Sequence, residues 1–147
     1  MNKQYLYHIT KANWWGEKIT LFPRAYGDNR SFDEPNVSRI CCAPTIENCL
    51  IAIPIEEFEI VNVYRTMNKV ESVRPYRILD AHITQERWLT EPTDFIFIKN
   101  VDFVKEKFIE QFKEPKNNGY LLGGNCIESR KWQKKMKTIL KTFLTSH

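Results

Sequence analysis

The sequence is short of the residues and runs that mark flexible, repetitive or membrane-spanning chains. Glycine occurs 5 times and proline 7 times in 147 residues, and neither a low-complexity segment nor an internal repeat is present. No apolar run approaches the roughly 20 residues that a membrane-spanning helix needs, and the first residues lack the apolar segment of a secretion signal. The sequence therefore predicts one folded domain over residues 1–147, located in a cytoplasm and without membrane association.

Cysteine spacing excludes the common zinc and disulfide frameworks. The four cysteines include an adjacent pair, Cys41 and Cys42, and no C-x-x-C pair occurs. We expect reduced, mostly buried thiols and no metal site. Cys41 is disfavoured as a nucleophile because the sequence shows nothing beside it that would lower the pKa of a thiol.

Positive charge is concentrated at the C-terminal end of the chain. Residues 127–147 contain six Lys and Arg against Glu128, a net charge of +5, so the other residues sum to −1 within the total of +4. Apolar residues recur there at helical spacing, at Trp132, Met136, Ile139, Leu140 and Phe143. The pattern predicts an amphipathic helix whose lysines form a solvated outer face. Nucleic-acid binding by this face is a weaker alternative, because no aromatic residues are interleaved with the charges on the predicted exposed face.

Patterns along the rest of the chain predict strands first and helices afterwards. We predict a helix from Thr45, which is suited to cap it, a second helix over Val101–Phe112, and loops over Pro23–Val37 and Glu114–Asn125. The order indicates an α+β fold with a mostly antiparallel sheet, strand-rich over residues 1–100 and helical over residues 101–147. The predicted strands are Tyr5–Thr10, Lys18–Phe22, Arg39–Ala43, Glu59–Thr66, Ile78–Ala81, Arg87–Leu89 and Phe95–Ile98.

No glycine-rich phosphate-binding motif is present, so neither P-loop nor Rossmann-type chemistry is signalled. Instead, the tripeptide His-Ile-Thr occurs twice, at residues 8–10 and 82–84. On a strand, residues i and i+2 share a face, so His8 with Thr10, and His82 with Thr84, would each present an imidazole beside a hydroxyl. Paired H-x-T strands resemble the two-histidine phosphoesterases, which implies acid–base catalysis by the histidines on a cyclic nucleotide or an RNA end.

A second resemblance uses the first of these motifs differently. Tyr7-His8-Ile9-Thr10 resembles the opening motif of the ADP-ribosyltransferase-like fold, and residues 39–45 with the following helix resemble its second element. The resemblance implies that His8 and Thr10 hold the ligand and that Thr45 supplies the only hydroxyl of the second motif. It also implies an acidic residue near a late strand, for which Glu86 is the best candidate and Glu91 the next.

Three segments also resemble a family of small phage and prophage proteins: residues 21–24, 43–50 and 84–92. This resemblance spans roughly residues 5–98 and implies location in a host cytoplasm. It does not indicate any particular activity. A phage protein could instead be a non-catalytic counter-defence protein that sequesters a host nucleotide signal, which leaves open whether the chain is an enzyme.

The leading hypothesis is therefore an ADP-ribosyltransferase-like core that takes NAD or a related nucleotide as ligand, with no covalently bound cofactor. Arg24 and Arg39 would meet phosphate, because guanidinium groups match its geometry, and Trp14 would stack on a base. Trp15 is a second aromatic candidate beside it. The hypothesis requires the imidazole of His8, both guanidinium groups and the carboxylate of Glu86 to converge on one cleft. Homo-oligomer formation is left open.

Overall fold

The computed structural model describes residues 2–11, 14–25, 36–52, 60–76, 78, 80–102, 116–117, 120–121 and 127–146. Within these residues the strands are β1 (Tyr7–Thr10), β2 (Lys18–Leu21), β3 (Ile40–Cys42), β4 (Ile60–Thr66), β5 (Arg87–Leu89), β6 (Thr93–Asp102), β7 (Lys116–Asn117) and β8 (Tyr120–Leu121). The helices are α1 (Ile46–Ala52), α2 (Ala81–Thr84) and α3 (Ile127–Ser146). All the strand pairs are antiparallel, which confirms the predicted α+β class with mostly antiparallel sheets.

The main sheet has four strands in the order β1-β4-β6-β2. The ten-residue strand β6 is its centre, because β6 pairs with β4 along its length and with β2 through Thr93–Ile96. The register shifts between Val63 and Tyr64 of β4. The two side chains enter separate cores and both are fully buried, so β4 is covered on both faces.

A second sheet consists of β3 and β5 and is joined to its surroundings by short bridges. Tyr7 of β1 exchanges two backbone hydrogen bonds with Ala43, which follows β3. Val73 does the same with Trp88 of β5. The second sheet therefore continues from the edge of β1.

Two apolar clusters hold these layers together. The first lies between β1, β4 and the helices, and includes Val61, Leu50 and Leu140. The second lies on the other face of the main sheet and includes Leu6 and Phe95. Burial of such side chains contributes about 1.5–3 kcal/mol each, so apolar packing on both faces stabilises the main sheet.

The predicted amphipathic C-terminal helix is confirmed by α3. Met136 and Leu140, four residues apart, are 2% and 1% exposed, while Lys134, Lys135 and Lys141 are exposed on the outer face. None of the described helices combines the length and the apolar character needed to cross a membrane.

The predicted strand at Ile78–Ala81 is wrong. Asp80 lies in a turn and its carbonyl oxygen accepts hydrogen bonds from the N–H groups of Ile83 and Thr84, at 2.9 and 3.0 Å, so the chain begins α2 instead. Gln133 of α3 donates to the Asp80 carboxylate at 2.9 Å. This contact with a distant helix holds the turn, and short-range propensity contains no sign of it.

Two further boundaries differ from the sequence prediction. Val101 and Asp102 are the last residues of β6 rather than the start of a helix, because they pair with Val61 and Ile60 of β4. Residues 103–112, the rest of that predicted helix, lie outside the described residues. So do residues 26–35 of the first predicted loop. The second predicted loop contains the short antiparallel strand pair β7–β8.

Candidate functional site

A cavity of about 530 Å³ lies beside β1 and β3, and the side chains proposed for chemistry meet there. Strand β1 contributes one wall, β3 and α1 contribute another, and the turn between α2 and β5 closes it. Six of the residues predicted from sequence line it: His8, Thr10, Arg24, Arg39, Thr84 and Glu86. They come from distant parts of the sequence, so the tertiary fold brings them together.

His8 is held in one tautomer. Its Nδ1 lies 2.8 Å from the carbonyl oxygen of Cys41, and since a carbonyl can only accept, Nδ1 carries the hydrogen. Burial lowers the pKa of His8 below its ordinary value and the positive charge of Arg24 lowers it further, while the bond to Cys41 opposes both. At neutral pH His8 is therefore uncharged, and its Nε2 is a hydrogen-bond acceptor.

Thr10 lines the same cavity. It lies two residues after His8 on β1 and is 5% exposed. Its Oγ1 has no hydrogen-bond partner among the described residues and has less than 1 Å² of accessible surface. A buried hydroxyl left unsatisfied costs about 1–3 kcal/mol, and this one lies behind the cavity surface.

Glu86 is placed by a tight turn and oriented by a tryptophan. Gln85 ends α2 in the left-handed conformation, with φ of 56°, and the N–H of Glu86 donates to Thr84 Oγ1 at 3.3 Å. The indole N–H of Trp88 donates to Glu86 Oε2 at 2.7 Å. This is the length of a strong bond to a charged acceptor, so the carboxylate has a defined position.

The same tryptophan, Trp88, stacks against Arg39, one of the two arginines that line the cavity. The guanidinium carbon of Arg39 lies 4.3 Å from the ring centroid of Trp88, and Arg39 is 1% exposed. Its backbone pairs with that of Arg24, through bonds of 2.9 and 3.1 Å. The bridge brings two cations to one side of the cavity, one buried and one exposed.

Four predicted residues lie elsewhere, and one of them, Glu91, is exposed and lines a different cavity. His82 is exposed on the helix α2 and does not line this cavity. Thr45 caps α1, its Oγ1 accepting from the N–H of Asn48 at 3.2 Å, and it lines a separate cavity of about 310 Å³. Trp14, 55% exposed, packs edge-on against Phe97 outside the cavity, and its neighbour Trp15 lines the cavity instead.

The two-histidine hypothesis required both H-x-T motifs to lie on strands. Residues 82–84 are helical, and side chains at i and i+2 of a helix point in different directions. Thr84 of that motif therefore reaches the cavity while His82 does not. The structure brings one histidine, not two, to this site.

Sequence reasoning missed Trp88, which orients Glu86 and Arg39 from behind the cavity wall, and Lys11, an exposed residue that lines the cavity. Trp88 is 0% exposed, and its place in a short strand made it indistinguishable from a core residue. The one available signal was the spacing Glu86-x-Trp88, which puts both side chains on one face of an extended chain.

Cys42 and Cys49 line the cavity, but neither thiol is a nucleophile. Burial raises the pKa of both thiols well above the ordinary value. Cys49 Sγ lies 3.1 Å from the carbonyl oxygen of Tyr7 and donates to it. Both are therefore neutral thiols that pack between α1, β1 and β3.

Comparisons with known proteins add no relative to these observations. No protein-family model, curated protein or solved structure matches this chain. Among the described residues, no group of three or more His, Cys, Asp or Glu side chains is arranged to hold a metal ion. The cavity and its side chains are the observations from which function is inferred.

Proposed function

We propose that this protein binds NAD or a related ADP-ribose nucleotide in the cavity beside β1, in the manner of an ADP-ribosyltransferase-like core. One observation carries the proposal: His8, Thr10, Arg24, Arg39 and Glu86 line a single cavity. Its volume of about 530 Å³ lies within the usual range for small-molecule sites.

The arrangement of charge suits the parts of such a ligand. Arg24 and Arg39 supply two cations for a diphosphate. The neutral Nε2 of His8 accepts a hydrogen bond, which suits a ribose hydroxyl. The Glu86 carboxylate supplies the negative charge that stabilises a ribose ring as it becomes positively charged.

If the nucleotide is consumed, the bond between ribose C1′ and the nicotinamide nitrogen breaks, and its electron pair leaves with nicotinamide. The positive charge then moves from the pyridinium ring to the ribose, where Glu86 stabilises it. Water or an acceptor hydroxyl, amine or ring nitrogen forms the new bond to C1′. Its proton passes to the Glu86 carboxylate, which acts as general base.

Binding and turnover are tested separately. Equilibrium dialysis of the purified protein against radiolabelled NAD measures binding, and chromatography of released nicotinamide measures turnover. Arg24→Ala should weaken binding about tenfold or more, because an exposed phosphate contact is lost. Arg74→Ala, which removes an exposed arginine outside the cavity, is the matched control. Absence of binding by the unaltered protein to NAD, ADP-ribose and AMP alike would overturn the proposal.

Glu86→Gln separates an enzyme from a protein that sequesters its ligand. Glutamine still offers an oxygen to the indole N–H of Trp88, so the fold should persist, but it lacks the negative charge. An enzyme loses about 100-fold or more of its turnover while retaining NAD. Glu91→Gln, an exposed change outside this cavity, is the control. Tight binding without nicotinamide release by the unaltered protein assigns the sequestering function.

A further inference from the structure

Tyr64 fixes the Trp15-Gly16 segment against the main sheet. The Trp15 N–H donates to the Tyr64 hydroxyl at 3.1 Å, and that hydroxyl donates to the Gly16 carbonyl at 3.1 Å. Tyr64 is 0% exposed within β4. Gly16 has a backbone φ of +107°, a conformation that residues other than glycine rarely adopt. The segment therefore has a defined position over the sheet.

The indole of Trp15 is half covered and half exposed at the cavity. Its ring lies 6.4 Å from the Tyr64 ring, centroid to centroid, at an interplanar angle of 28°. Tyr64 packs against the indole, yet Trp15 is 48% exposed and lines the cavity. A rigid aromatic side chain with accessible surface offers a stacking surface at little cost in side-chain entropy.

Two cations share the rim with this indole. Lys11 and Arg24 are both exposed and both line the cavity. A flat apolar ring beside positive charge is complementary to a planar base joined to phosphate, because bases stack on aromatic side chains while the phosphates are held by the cations.

We propose that Trp15 is the stacking platform for the heteroaromatic ring of the nucleotide, with the adjoining phosphate held by Arg24 and Lys11. This inference rests on the proposed function and adds the orientation of the ligand, with its ring at the cavity mouth and its ribose towards His8 and Glu86. The shared chemistry is a planar ring on a ribose phosphate, and either the adenine or the nicotinamide end of NAD supplies it.

Trp14 gives a matched control for Trp15. It is the preceding residue and is similarly exposed, at 55%, but it packs on Phe97 outside the cavity. We compare Trp15→Ala and Trp14→Ala for binding of NAD, AMP, nicotinamide mononucleotide and ribose 5-phosphate by isothermal titration calorimetry. Thermal unfolding of each variant shows whether it folds, and Trp15→Phe retains a ring over Tyr64.

The expected result is a loss of about 5- to 100-fold in NAD affinity for Trp15→Ala, a smaller loss for Trp15→Phe and none for Trp14→Ala. The mononucleotide whose affinity for Trp15→Ala falls by the same factor as that of NAD contains the stacked ring. Ribose 5-phosphate, which has no such ring, should bind equally to all variants. NAD bound equally by folded Trp15→Ala and the unaltered protein overturns the platform while the proposed function stands. If the unaltered protein binds none of the four compounds, the proposed function fails first.

Discussion

The indole N–H of Trp88 donates to the carboxylate of Glu86 at 2.7 Å, although the tryptophan is completely buried and the glutamate faces the cavity. The guanidinium of Arg39 stacks over the same indole at 4.3 Å. One buried ring therefore sets the position of both a cation and an anion of the site, so that site geometry and core packing are linked at Trp88.

This link predicts coupling between Trp88 and Glu86. Trp88→Phe should lower the free energy of unfolding by about 2–4 kcal/mol, because it leaves a small void and removes a charge-assisted hydrogen bond. In a Glu86→Gln background the same change should cost about 1 kcal/mol less, since only a neutral hydrogen bond is then lost. Urea denaturation of the four proteins measures the cycle, and strictly additive costs would contradict the link.

His8 should make stability depend on pH. Its pKa is lower in the folded protein than the ordinary 6.5, so below about pH 6.5 the unfolded chain binds a proton that the folded protein does not. Stability should be full above pH 6.5 and should fall as pH decreases below it. Thermal unfolding between pH 5 and 7.5 measures this, and His8→Gln should flatten the dependence. His82→Gln, which removes an exposed imidazole outside the cavity, should retain the slope of the unaltered protein.

Burial predicts different reactivities for three neighbouring thiols. Cys42 and Cys49 have raised pKa values, so little thiolate exists at pH 8 and iodoacetamide should modify them only after unfolding. Cys41 is half-buried at the cavity wall and should be modified faster than either. Peptide mass spectrometry with and without urea measures each site. Rapid modification of Cys49 in the folded protein would show that α1 does not cover it as described.

The C-terminal helix should be required for stability. Leu140 is 1% exposed in the cluster shared with α1 and β4, so Leu140→Ala should lower the free energy of unfolding by about 2–5 kcal/mol. Lys135→Ala on the exposed face of the same helix should change it by less than about 0.5 kcal/mol. Urea denaturation compares the two, and equal effects would mean that α3 does not pack as described.

Two polar contacts connect α3 to the segment around α2, beside the site. Lys137 donates to the carbonyl oxygen of Ile83 at 3.1 Å, and Gln133 donates to the carboxylate of Asp80. Both contacts hold α2, whose end carries Thr84 and then Glu86. The apolar spacing predicted that α3 packs on the core, but Gln133 and Lys137, which reach α2, lie among lysines and look in sequence like part of a solvated face.

Much of the local structure followed from the sequence because local chemistry dictates it. Aromatic and β-branched residues predicted β1, alternation predicted β2 and β4, the Thr45 cap predicted the start of α1, and 3.6-residue spacing predicted α3. The strand predicted at Ile78–Ala81 was wrong because its conformation depends on a bond from Gln133, more than 50 residues away.

The site was predicted in part. His8, Thr10, Arg24, Arg39 and Glu86 were chosen because their chemistry suits a nucleotide, and they line one cavity. Sequence does not distinguish Trp14 from Trp15, because adjacent tryptophans differ only in the surroundings that the tertiary fold gives each side chain.

The sequence by itself determined the fold class, the amphipathic C-terminal helix and the supply of cations, carboxylates and histidines, because periodicity and residue chemistry are local properties of the chain. Only the tertiary structure decided that His8 lines the cavity and His82 does not. It also decided that Trp88 orients Glu86 and Arg39, because convergence of side chains depends on strand pairing and packing between residues far apart in the sequence.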